Sequence, residues 1–125
     1  MIYDLRTSES EYIEQQSIAE ADIVIVDGAF RGKCMRYISE KILLGSASPA
    51  MIIFDNSDWY PKTMKRIGSD LGDWIQIDFK GFGPINDYTW TTSIFLSRSV
   101  DQKFLRPRHV PSIAHLKQVN PDDEI

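Results

Sequence analysis

A chain of 125 residues, 42% hydrophobic and 11% aromatic, has the length of one domain and enough apolar surface for a core, which excludes a disordered chain. Its 14 Lys and Arg stand against 18 Asp and Glu, a formal charge of −4, and this argues against a nucleic-acid binder that works by neutralising phosphates. The single cysteine, Cys34, excludes an internal disulfide, and no apolar run approaches the ~20 residues of a membrane span.

The N-terminal stretch lacks the basic and apolar regions of a signal peptide, so the expected compartment is the cytoplasm, with neither nucleic acid nor membrane as partner. Residues 8–20 read as a short helix opened by a capping box, in which Ser8 accepts from the backbone of Glu11. Residues 22–27, DIVIVD, hold four consecutive β-branched side chains between Asp22 and Asp27-Gly28. Such a run suits a strand buried on both faces, as in a parallel sheet. Residues 31–44 predict a helix: Met35, Ile38 and Ile42 share a face, and Gly45 is placed to cap the C-terminus. After a turn at 46–49, AMIIF at 50–54 reads as a second buried strand that ends at Asp55-Asn56. Pro61 suits the first turn of a helix in which Met64, Ile67 and Leu71 follow at helical spacing, before Gly72.

Residues 74–79 alternate, with Ile75, Ile77 and Phe79 on one side and Trp74, Gln76 and Asp78 on the other. The Thr-rich, aromatic stretch 89–97 also fits a strand. The nine-residue connection KGFGPINDY is too short for a crossover helix, so these two strands pair antiparallel. Residues 99–125, with Pro107, Pro111, Pro121 and an acidic end, read as a tail after one domain over 1–98. The expected fold is α/β: parallel strands, then a C-terminal antiparallel hairpin, with helices on the faces.

Asp27 ends the first strand and Asp55-Asn56 end the second. In a right-handed βαβ unit these ends lie side by side, about 5 Å apart in strand spacing, at the edge where ligands collect. Two carboxylates and an amide oxygen form a hard oxygen set suited to Mg²⁺ or Ca²⁺. The same residues equally fit turn formers and helix caps. Arg31 and Lys33 are placed either to meet an anionic substrate or to form an exposed first turn. Cys34 reads as a small core residue rather than a nucleophile. The loop holding Phe82, Pro84, Asn86, Asp87 and Tyr88 is placed to close over a site, although a hairpin needs Gly and Pro anyway. His109 and His115 are not spaced as a metal pair, and Lys103, Arg106 and Arg108 read as a solvated basic cluster.

The stretches VDGAFRGKC, IIFDNSD and DFKGFGPINDYTWTTSIF, in this order of elements, resemble the C-terminal half of the class I S-adenosylmethionine-dependent methyltransferases. The resemblance covers about residues 8–98. It implies a partial Rossmann-like sheet in which IVIVDG matches the family's fourth strand, MIIFDN the fifth, WIQIDF the sixth and TWTTSIFL the seventh. The last strand of that sheet inserts between the fifth and sixth, so the order expected here is first, second, fourth, third. An acceptor-binding surface is expected about Asp27, Arg31, Trp59, Asn86 and Tyr88; the resemblance implies an aromatic wall near Trp59, a residue that also fits an anchor of the loop to the sheet. In the divalent-cation-dependent O-methyltransferases a trio like Asp27, Asp55 and Asn56 holds a metal that gathers the acceptor's oxygens.

The first strand, the Gly-rich turn and the acid ending the second strand, which hold the family's cofactor, have no counterpart. A truncated relative, or one part of a split enzyme, is therefore expected. It would bind S-adenosylmethionine only with a complementing half and would transfer no methyl group alone. The other reading is a non-catalytic protein–protein interaction module, or an inhibitor, built on a reduced sheet. In either case strand 22–27 loses its outer neighbour and becomes an apolar edge. A second copy or another protein is the partner expected there.

Overall fold

The computed structural model describes residues 8–83, 85 and 87–99. The expectations for Asn86, for the basic cluster at 103–108, for His109 and His115, and for the tail beyond Ser99 lie outside the described residues. In chain order the elements are α1 (Glu9–Ile13), a 3-10 turn (Gln16–Glu20), β1 (Ile23–Val26), α2 (Arg31–Leu43), β2 (Met51–Phe54), a second 3-10 turn (Ser57–Trp59), α3 (Pro61–Asp70), β3 (Ile75–Phe82) and β4 (Thr89–Leu96).

The helix expected over 8–20 is shorter than the reading. Ser8 Oγ caps it by accepting from the Glu11 amide at 3.3 Å, but the backbone leaves helical geometry at Glu14, with ψ of 59°. The Gln15 side chain turns back and donates to the Tyr12 carbonyl at 3.1 Å. The break lets Ile18 pack on the core while the Tyr12 ring meets the edge of Phe30 at 6.1 Å. α2 and α3 follow the reading closely. Gly45 ends the first of them at φ +68°, a conformation glycine adopts without a Cβ clash.

Among the described residues the sheet has four strands in the order β1-β2-β4-β3, with β1 and β2 parallel and the other pairs antiparallel. The last strand thus lies between the second and third, as expected. In the register Ile52 stands opposite Phe95, and Phe54 opposite Ser93. Val26, Ile52, Phe54 and Phe95 point to one face, where Met35 and Ile38 of α2 and Ile67 and Leu71 of the α3 region close the core. Each such side chain stabilises the fold by about 1.5–3 kcal/mol through burial.

Two expectations need correction. Helices were expected on the faces of the sheet; every described helix that packs on the core lies on the Phe54 side. On the other side Ile23 is 55% exposed, Ile25 65%, Ile75 and Ile77 40% each, and Phe79 56%. A first strand buried on both faces was also expected, yet only Val26 is fully buried in it. An unbroken apolar run reports apolar side chains on both faces; it does not supply a second layer to cover them. β3 also runs past its predicted end, because Lys80, Gly81 and Phe82 stay paired with Thr91, Trp90 and Thr89. Among the described residues no helix is long and apolar enough to cross a membrane.

Candidate functional site

Because β1 and β2 run parallel, their carboxyl ends share one edge of the sheet, and the chain turns there twice. Phe30 and Asn56 hold these turns at φ of 53° and 51°, in the left-handed region. Asn tolerates that region; a bulky Phe is uncommon there. Phe30 is fixed by the Tyr12 ring and by Lys33 Nζ, 5.5 Å from its centroid.

The turn at Phe30 delivers Arg31, the first residue of α2, to the edge. Its Nε donates to the Gly28 carbonyl at 2.9 Å, and one terminal nitrogen pairs with Asp27 Oδ1 at 3.1 Å. The other donates to the Asp55 carbonyl at 3.3 Å, to Asp55 Oδ2 at 3.4 Å and to Asn56 Oδ1. On its far side Asp55 Oδ1 accepts from Thr92 Oγ1 at 2.5 Å. Asp27, Asp55 and Asn56 therefore do come together, and what they come together around is a guanidinium. The donors of Arg31 are spent on this chain's own oxygens, which makes it a clamp between the two turns and leaves little for a substrate anion.

The oxygen set suits a hard cation by its chemistry, but a dication in its centre would meet the guanidinium as a like charge. It fits one only if Arg31 turns away. Among the described residues no three His, Cys, Asp or Glu side chains gather in a metal-binding group. Lys33 faces elsewhere: it pairs with Glu9 and ties α1 to α2.

Beside the clamp lies a row of aromatic rings. Trp59 and Tyr88 meet at 6.3 Å between centroids, and Tyr88 and Trp90 at 5.8 Å. Asp58 anchors the Trp59 turn to β4 by accepting from the Thr91 amide at 2.9 Å. Gly83 backs directly onto the Trp90 ring, where a Cβ would collide with it. Two residues predicted to line an acceptor site, Trp59 and Tyr88, are thus in contact and largely exposed. Thr92 and Trp90 were not singled out from the sequence. The signal that finds them is the register, since Phe54 opposite Ser93 sets Thr92 beside Asp55.

Under this edge, on the helix side, a polar link through the buried Ser57 and Ser93 bolts the turn after β2 to the hairpin. Ser57 Oγ lies 3.0 Å from the Thr91 carbonyl and 2.7 Å from Ser93 Oγ, which lies 2.6 Å from Asp78 Oδ1. Partners for each buried hydroxyl are what burial demands, and the link is structural.

Cys34 sits half-buried on α2, beside a cavity of about 100 Å³ that Tyr12, Ile18, Val26 and Ile38 also line. Burial raises its thiol pKa above the ordinary value, against the weaker opposing effect of a backbone hydrogen bond. A thiol held protonated is not an activated nucleophile. Compared with protein-family models, with curated proteins and with solved structures, the chain has no match.

Proposed function

We propose that the chain is the acceptor-side half of a class I, Rossmann-like S-adenosylmethionine-dependent methyltransferase, and that it transfers no methyl group by itself. The observation that carries this reading is the strand order, with β4 inserted antiparallel between β2 and β3 after two parallel strands. That insertion is what the resemblance of the sequence stretches implied. The reading is supported by the shared edge as well. Trp59 and Tyr88 offer an exposed aromatic surface beyond the turn that follows β2, at the end of the sheet where ligands of open α/β folds collect.

On this reading the chain's own residues position the acceptor against the aromatic row, while Arg31 holds the two turns that carry it. Placement of the methyl donor, an orientation effect worth about 7–11 kcal/mol, would come from a complementing half. The test is a chimera: the first three strands of a class I methyltransferase joined ahead of Ser8, titrated with S-adenosylmethionine by calorimetry. Micromolar binding by the chimera, with none by the chain alone, supports the reading. A folded chimera that binds nothing sinks it. The second reading, a non-catalytic interaction module, is favoured by the apolar face that no described element covers and would survive that failure.

A further inference from the structure

The face of the sheet that no described helix covers is ordered in rows. Ile25 stands beside Ile53, Ile53 beside Ile94, and Ile94 beside Ile77, so one row of isoleucines crosses all four strands. The next row crosses them again, through Ile23, Met51, Leu96 and Ile75. Side chains on one face of a strand recur every second residue, so both rows project to the same side. They span three strand spacings, about 14–15 Å. Neither row contains a charged or polar side chain.

We propose that this face is a self-association surface, on which a second copy of the chain packs the same face about a two-fold axis. The inference does not rest on the methyltransferase reading. It rests first on area. The exposed parts of the two rows and of Phe79 amount to on the order of 600 Å² per chain, at the top of the roughly 300–600 Å² that the largest apolar patch on a monomer reaches. That is close to the ~800 Å² that each partner contributes to a standard stable interface.

It rests next on complementarity. A two-fold contact sets the same patch against itself, which any like-charged pair in the patch would oppose. These rows carry no charge, so nothing in them repels an identical copy and no charge pattern selects a different one. Two twisted apolar sheets also have a standard way to meet, about 10 Å apart with their strands near −30°. The result is four layers: helices, sheet, sheet, helices.

The β1 edge that the sequence singles out does not serve in place of the face. Pairing along Ile23–Val26 engages four residues at one end of the sheet and leaves Ile75 and Ile77, three strands away, as exposed as before.

Sedimentation equilibrium of the full chain, from about 1 µM to about 100 µM, tests the proposal. Wild type is expected at twice the chain mass in the upper part of that range. Ile77→Lys is expected to weaken association at least tenfold with an unchanged far-ultraviolet circular dichroism spectrum. Leu44→Lys, at the exposed cap just after α2, is expected to leave it intact. Should Ile77→Lys fail to fold, Phe79→Lys at a more exposed position of the same face repeats the test. A wild-type monomer throughout the range overturns the proposal, and residues 100–125 of the same chain become the candidate cover. A dimer that survives Ile77→Lys but is lost in Ile25→Lys also overturns it, in favour of the edge.

Discussion

On the helix side of the sheet Ile52, Phe54 and Phe95 are sealed from solvent, while one residue along the neighbouring strands Ile25 and Ile77 stand open on the other side. The amino acids are alike and the layers above them are not. β3 sharpens the contrast. Its helix-side positions are Gln76, Asp78 and Lys80, and its open-side positions are Ile75, Ile77 and Phe79, yet every residue of the strand is exposed. Were exposure alone in control, polar and apolar side chains would have no reason to sort by face. The sorting says that the helix side of β3 is built for water, beyond the reach of α2 and α3, and that the open side is built for cover.

The largest effect expected from this contrast comes from paired truncations. Phe54→Ala removes a ring from the sealed core and should cost about 3–5 kcal/mol in urea unfolding. Phe79→Ala, at concentrations too low for association, should cost under about 1 kcal/mol, because the ring it removes is already largely in water. Equal losses would mean that both faces are covered within one chain, and the comparison would fail.

The edge joining the two faces gives the next effect. Arg31→Gln takes the clamp from a carboxylate, Asp55, whose side chain is 23% exposed. Leaving that carboxylate without its cation, with only Thr92 Oγ1 still donating to it, should cost about 1–3 kcal/mol, toward the lower end because water still reaches it. The same variant vacates the oxygen set. Mg²⁺ should therefore leave the wild-type melting temperature unchanged and raise that of Arg31→Gln. A rise in the wild type that Asp55→Ala abolishes would place a cation at the trio, with Arg31 turned away.

Local chemistry made much of this fold readable. The β-branched run at 23–26, Gly45 after the helix and Pro61 before the next each act within a few residues. The convergence of Asp27 with Asp55-Asn56 was readable too, because the ends of two parallel strands must share an edge. Arg31 as its centre was not, since the contact spans 24 residues and depends on which way one turn aims a side chain. Thr92 needed a register that alternation alone does not set. The break after Ile13 is decided by where Ile18 finds the core. The bare face escaped for a similar reason: alternation says which side chains point together, but the layer that meets them comes from elsewhere in space.

The smallest effect uses thiols as reporters of cover on each side. Cys34, on the helix side, has its pKa raised by burial. A group whose folded pKa lies above its unfolded one stabilises the fold below the unfolded value, near pH 8.5 for a thiol, and this contribution is lost as pH rises through the folded value. Wild type should therefore lose stability in alkali slightly faster than Cys34→Ala, and iodoacetamide should modify Cys34 more slowly in the folded chain than in urea. Placing the single thiol on the other face, as Ile77→Cys in the Cys34→Ala background, turns the same chemistry on the bare rows. In a dissociated chain that thiol should react at nearly the rate of an unfolded one. If a second copy covers the face, the rate should fall as protein concentration rises, whereas a concentration-independent protection would point to cover from within the chain. Cys34 itself should show no such dependence, because its cover is the chain's own α2 and the segment around Tyr12.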